Sequence, residues 1–139
     1  PAFIDDDDVE AMEWVDEELP ADAEFVVLGD AAEWFPQQSD RTMLVGPWGV
    51  EWKSPEAYRY HLRTFRRLSH CHAEPCLSNR LRRNDVHPDY VYVPKGSYTV
   101  RGNQRQQSSR MRRSLVRSSD YRLAYENRGV MVFRVAGGA

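Results

Sequence analysis

Apolar positions along the chain switch between helical and extended spacing, and the switches fall at proline, glycine and serine. Val9, Met12 and then Val15 or Leu19 recur at spacings of three and four, which predicts a helix over Asp5–Glu18 ended by Pro20. The run Asp5 to Asp8 suits its start, where negative charge meets the positive end of the helix dipole. Glu24 to Leu28 is a short apolar run closed by Gly29-Asp30 and reads as a buried strand. Ala31 to Phe35 is expected to make one helical turn stopped before Pro36, and Thr42 to Val45 a second short strand ended by Gly46-Pro47.

Ser54-Pro55-Glu56 is a helix start, with a capping serine, proline at the first helical position and an acid in the first turn. Tyr58, Leu62, Phe65 and Leu68 then mark its inner face, while Arg59, Arg63, Arg66 and Arg67 face outward. A His-Cys-His segment interrupts, and Pro75 to Arg83 restarts a helix. Asp89 to Val93 is the clearest strand, closed by Pro94-Lys95-Gly96. Ser97 to Gln107 is polar and reads as a mobile loop. Ser108 or Ser109 is expected to cap a helix through Arg117 that turns Met111 and Leu115 inward. Tyr121–Glu126 and Val130–Val135 form two strands around the turn Asn127-Arg128-Gly129, and Gly137 to Ala139 is a fraying end.

Helices alternating with buried strands predict a three-layer α/β fold. Its sheet is expected to be mostly parallel, with helices on both faces and a C-terminal antiparallel hairpin at one edge. Binding sites in such sheets lie beyond the C-terminal strand ends, here Gly29-Asp30, Gly46-Pro47-Trp48 and Pro94-Lys95-Gly96. At 139 residues, with no internal repeat, residues 1–139 read as a single soluble domain. No stretch approaches the roughly 20 apolar residues of a membrane helix. The sequence begins at Pro1 without Met, which fits a domain cut out of a longer protein.

Charge divides the chain. Residues 1–40 carry fourteen acidic and no basic residues, whereas residues 41–139 carry nineteen basic and seven acidic ones. Such blocks either pair within the fold, the preferred reading here, or mark an interaction tail. The segment from Arg101 to Arg117 is a basic loop and helix suited to phosphate, an anionic partner or nucleic acid, with nucleic acid the least favoured.

Chemistry-bearing residues are few. Cys71 and Cys76 are open to a disulfide, worth roughly 2 kcal/mol for so short a loop, to free thiols, or to zinc with His70 and His72. The spacing lacks a C-x-x-C pair, so the disulfide is preferred. Trp34, Phe35, Trp48 and Trp52 occur with Asp30, Glu33 and Glu51 near the first two strand ends. Acids beside indole faces are what carbohydrate sites use, and the same set also makes an ordinary packing cluster. Glu33 and Glu51 form a conceivable acid–base pair for glycan hydrolysis. GxGxxG, Walker, GxSxG and HExxH motifs are all absent, which removes the commonest motif-readable enzymes. No cofactor is expected.

Several segments together resemble a known family. Leu28-Gly29-Asp30, Glu33-Trp34-Phe35-Pro36 and Gly49-Val50-Glu51-Trp52 are similar to the soluble C-terminal region of polytopic membrane glycosyltransferases of the dolichyl-phosphate-mannose-dependent type, found in archaea and some bacteria. Pro88 to Gly96 and Tyr125 to Phe133 look like the same tail. Transfer chemistry in that family belongs to acidic loops of the membrane-embedded part, so no catalytic residue carries over. The resemblance implies a location outside the cytoplasm, tethered by membrane helices that lie outside this sequence. It also implies the rest of that polypeptide as a partner, and a supporting role toward a glycan or protein acceptor. It further favours the Cys71–Cys76 disulfide. Asp30, Trp34, Trp48, Glu51, Trp52 and Lys95 sit in the shared turns and are the expected ligand contacts.

Overall fold

The computed structural model describes residues 4–50, 52–102 and 104–136. Helix α1 (Asp6–Glu18) begins at a reciprocal cap: Asp8 N donates to the Asp5 carboxylate at 3.0 Å, and Asp5 N donates to that of Asp8 at 3.1 Å. Two of the four amides that a helix start leaves without partners are thereby satisfied. Ala11, Met12 and Val15 form its buried face. After β1 (Glu24–Val27) comes a 3₁₀ turn (Asp30–Glu33), then α2 (Phe35–Ser39). Pro36 does not stop this helix. It occupies the first turn, where a missing N–H costs nothing.

The short β2 (Thr42–Met43) precedes α3 (Pro55–Ser69), α4 (Glu74–Arg83) and β3 (Tyr90–Pro94). Ser54 caps α3 as its sequence predicts, accepting Ala57 N at 3.0 Å. A disulfide joins Cys71 to Cys76 across the α3–α4 corner. It takes up both sulfurs that a zinc reading would need. The chain ends with β4 (Ser97–Val100), β5 (Gln104–Gln107), α5 (Ser109–Arg117), β6 (Tyr121–Glu126) and β7 (Val130–Val135). Ser108 precedes α5 but does not cap it with its side chain; its hydroxyl instead accepts Arg112 Nε at 3.0 Å.

Five strands form a mixed sheet in the order β2-β1-β3-β7-β6. Strand β1 runs parallel to β2 and β3, while β7 runs antiparallel to both β3 and β6. The sheet is therefore half parallel rather than mostly so. The C-terminal hairpin supplies two of the five strands, and its second strand, β7, pairs along the whole of β3. The hairpin does lie at one edge, with β6 outermost.

Residues of both pleat faces are buried on the inner strands. Phe25, Tyr92 and Val132 are buried on one face, as are Val26, Val91 and Phe133 on the other. Phe25 stacks on Tyr90 at 5.2 Å and meets Phe35 of α2 at 4.7 Å, and Phe35 meets Tyr92 edge-on at 5.6 Å. Each such ring removed from water contributes roughly 1.5–3 kcal/mol.

The segment from Ser97 to Gln107, expected to be a mobile loop, instead forms the separate two-stranded sheet of β4 and β5. Its order comes from partners distant in sequence. Tyr98 is buried, donates to Ser69 O at 2.9 Å and lies flat against Gly29. A Cβ on Gly29 would fall 2.4 Å from the Tyr98 ring, and Gly29 has φ of 79°, so only glycine fits this crossing.

Candidate functional site

The hairpin of β4 and β5 stands over the C-terminal end of β1, and Asp30 fastens it there. Asp30 is 2 % exposed. Its carboxylate accepts Thr99 Oγ1 at 2.9 Å, Arg101 N at 2.5 Å and Gly102 N at 2.6 Å. Arg101 is held with φ of 56°, a left-handed conformation that costs a non-glycine residue energy and persists where surrounding contacts over-determine it. Asp30→Ala is expected to loosen the hairpin by about 2 kcal/mol, raising amide exchange there roughly thirtyfold. Hydrogen–deuterium exchange across residues 97–107 checks it. Unchanged protection would mean that Tyr98 alone holds the hairpin.

So placed, the Arg101 guanidinium lies over the Trp48 ring, 5.7 Å from its centre, and reaches the Tyr58 hydroxyl at 3.5 Å. Trp48 donates Nε1–H to Glu33 at 3.0 Å and meets Phe65 edge-on at 5.0 Å. His61 borders the same loop: its Nδ1 accepts Gly46 N at 3.2 Å, and burial, then the nearby Lys53 charge, lower its pKa. Trp52 is 74 % exposed, and its ring edge comes 3.4 Å from where a Cβ on Gly49 would stand. One indole, Trp48, thus lies between a guanidinium and a carboxylate, and a second, Trp52, stands exposed on the same loop. A cation held on an aromatic face gains roughly 0.5–1 kcal/mol when exposed.

A second concavity, about 290 Å³, opens beyond the ends of β1 and β3, where parallel sheets place their sites. Asp8, Asp30, Lys95, Ser97, Thr99 and Arg105 contribute to its walls. Lys95 Nζ pairs with Glu126 at 2.5 Å, and Arg105 donates to Ser97 Oγ at 3.2 Å. Asp8 is nearly buried and accepts the Tyr92 hydroxyl at 2.5 Å. Burial raises its pKa to about 6, against the pull of that hydrogen bond. Burial, then the facing Asp8 charge, holds the Tyr92 phenol well above its ordinary pKa.

Of the residues singled out in the sequence, the structure links Asp30 to Trp48 through Arg101, joins Glu33 to Trp48, and sets Lys95 on the wall that Asp30 also lines. Trp34 stands apart from these links, half-buried, its Nε1 without a hydrogen-bond partner. Glu51 lies outside the described residues, and with it the geometry of the Glu33–Glu51 pair. Sequence reasoning passed over Tyr58, the Asp8–Tyr92 pair and the coupling of Arg101 to Trp48. A tyrosine inside a wholly buried strand was the available signal for Tyr92, since a buried hydroxyl needs a partner.

Among the described residues no group of three or more His, Cys, Asp or Glu is arranged to hold a metal, and no helix is long and apolar enough to cross a membrane. No protein-family model matches the chain, and the search of curated proteins finds no significant match.

Proposed function

We propose that this chain is an extracytoplasmic accessory domain of a membrane glycosyltransferase that uses polyprenyl-phosphate-linked sugar. In this reading it holds glycan or acceptor and leaves the transfer chemistry to the membrane-embedded part of the same polypeptide. The observation that carries the proposal is the loop bearing Trp48 and Trp52 beside Glu33 and Arg101. An exposed indole offers a sugar ring its stacking face. The carboxylate accepts hydroxyl protons, and the guanidinium takes phosphate or a carboxylated sugar.

Two further points support this reading. The Cys71–Cys76 disulfide is of a kind that persists in oxidising compartments. The turn segments resembling the glycosyltransferase tail supply both indoles. The same reading takes the fold as three-layered with helices over both faces of the sheet, supported by burial on both faces of β3.

Titration with a panel of mannose-containing and acidic oligosaccharides, followed by calorimetry, tests the proposal. Trp52→Ala is expected to weaken binding about tenfold, the ring contact being worth roughly 1.4 kcal/mol. Its unfolding midpoint should stay unchanged, because the side chain is mostly in water. Equal affinity of the parent and the variant for every bound sugar, or no binding across the panel, would sink the proposal.

A further inference from the structure

Helices α3, α4 and α5 adjoin in that order: Arg80 Nη1 donates to Arg67 O, and Glu74 N to Ser114 Oγ. Together they carry eleven arginines and two acids, Glu56 and Glu74. Among the described residues the ion pairs are Arg41–Asp16, His87–Asp85 and Lys95–Glu126, so none of the eleven has a carboxylate partner. Most are exposed, including Arg59, Arg63, Arg66, Arg82, Arg113 and Arg117. The acid-rich α1 packs on α2 and reaches β7, and among the described residues no ion pair links it to the three helices.

Two apolar side chains stand out of this field. Val116, between Arg113 and Arg117, is 58 % exposed, and Tyr60, beside Arg59, is 36 % exposed.

We propose that the outer face of α3, α4 and α5 docks on an anionic lipid surface. Guanidinium groups engage headgroup phosphates while Val116 and Tyr60 sit at the boundary with the acyl chains. Each cation near such a surface contributes roughly fivefold in affinity, so a field of unpaired arginines suffices without a covalent anchor. Nucleic acid fits less well. Among the described residues Tyr60 is the exposed aromatic of this face, too little for a stacking platform. The disulfide at the α3–α4 corner also points to a compartment outside the cell interior.

This surface does not include Trp52, so the two proposals fail separately. The test is flotation of the full chain with vesicles of phosphatidylcholine alone and of phosphatidylcholine with phosphatidylglycerol. Binding only to the anionic vesicles, lost at high salt, is expected. The triple variant Arg63→Gln, Arg113→Gln, Arg117→Gln should bind about a hundredfold more weakly, with its circular dichroism and melting temperature unchanged. Trp52→Ala should bind like the parent.

Three outcomes would overturn the proposal. One is equal binding, or none, to both vesicle types. Another is a triple variant as tight as the parent. The third is preference for a DNA or RNA oligonucleotide over anionic vesicles at matched salt. Self-association lost in the triple variant, without vesicle binding, would instead assign the face to the acidic α1 of a second copy.

Discussion

Arg41→Ala should lower the unfolding free energy by about 3 kcal/mol, among the largest losses available to a single substitution in this chain. The reason lies at the far end of α1. That helix has no basic residue in its last turn, and Glu17 and Glu18 face the negative end of its dipole. Arg41 supplies the missing cation from another part of the chain, with its side chain 4 % exposed. Its Nη2 donates to the carbonyls of Val15 at 3.2 Å, Asp16 at 3.0 Å and Leu19 at 2.6 Å, and its Nε to Pro20 O at 2.8 Å. Nη1 closes the approach by donating to Ser39 O and Asp40 O at 3.2 and 3.0 Å.

Alanine would strip this donor set from the carbonyls, of which Val15 O and Pro20 O keep a backbone donor, and leave a hole. Arg41→Lys should recover less than half of the loss, because one ammonium cannot reproduce a planar fork of donors. The ion pair with Asp16 is a minor part. It spans 3.4 Å to a half-exposed carboxylate, so Asp16→Ala should cost under about 0.5 kcal/mol. Urea titration of the three variants separates these contributions. An unchanged midpoint in Arg41→Ala would show that water replaces the guanidinium at little cost.

That cap also marks the boundary of what the sequence makes legible. The start of α3 is local: Ser54, Pro55 and Glu56 are adjacent, and Ser54 meets Ala57 three residues on. The same holds for the α1 cap at Asp5 and Asp8 and for the Asn127 turn, whose side-chain oxygen accepts Gly129 N and Val130 N. Arg41 gives no local sign of its role, because every carbonyl of α1 that it serves comes from a distant segment. Strand β5 is wholly polar and β4 alternates over only four residues, with Tyr98 and Val100 inward; Asp30, Gly29 and Ser69 order them through contacts remote in sequence. The parallel half of the sheet was readable from buried runs. That β7 would pair along the whole of β3 was not, since partner choice among apolar strands is decided by packing.

Charge shows the same limit at the site. The acidic front and basic remainder of the chain suggest mutual pairing, yet among the described residues one ion pair, Asp16–Arg41, joins the two blocks. The two blocks instead stay on separate elements, the acids concentrated on α1 and eleven arginines on α3, α4 and α5. The sequence placed Trp48 and Glu33 in one cluster of aromatic and acidic residues near the first strand ends, while Arg101 reaches Trp48 only because a buried carboxylate at the end of β1 seizes the hairpin turn.

Asp8 should make the fold less stable as pH rises from about 4 to about 7, against the usual trend for carboxylates. Its folded pKa is raised from an ordinary 3.8 to about 6. The folded state therefore holds its proton more tightly than the unfolded chain does. Stability from this group is fully present below the unfolded value and is lost as pH climbs through the folded one, a total of roughly 3 kcal/mol. Desolvation is the main cause, and the hydroxyl of Tyr92 and the amide of Asp5 only partly offset it.

Asp8→Asn keeps the volume and an acceptor for Asp5 N while removing the charge. It should match the parent near pH 4 and exceed it by about 2 kcal/mol at pH 7. Tyr92→Phe acts in the opposite sense. Without that donor the carboxylate is harder to ionise, so the loss of stability extends to higher pH. Urea unfolding of parent and variants at several pH values gives the answer as a difference, in which the other carboxylates cancel. Parallel profiles for the parent and Asp8→Asn would mean that water reaches Asp8 from the cleft it lines and that burial does not govern its proton. A diverging pair would place a carboxylate that titrates near neutrality at the mouth of the parallel strands, in a cleft that Lys95 also lines, where any ligand entering would shift its proton and be detectable by it.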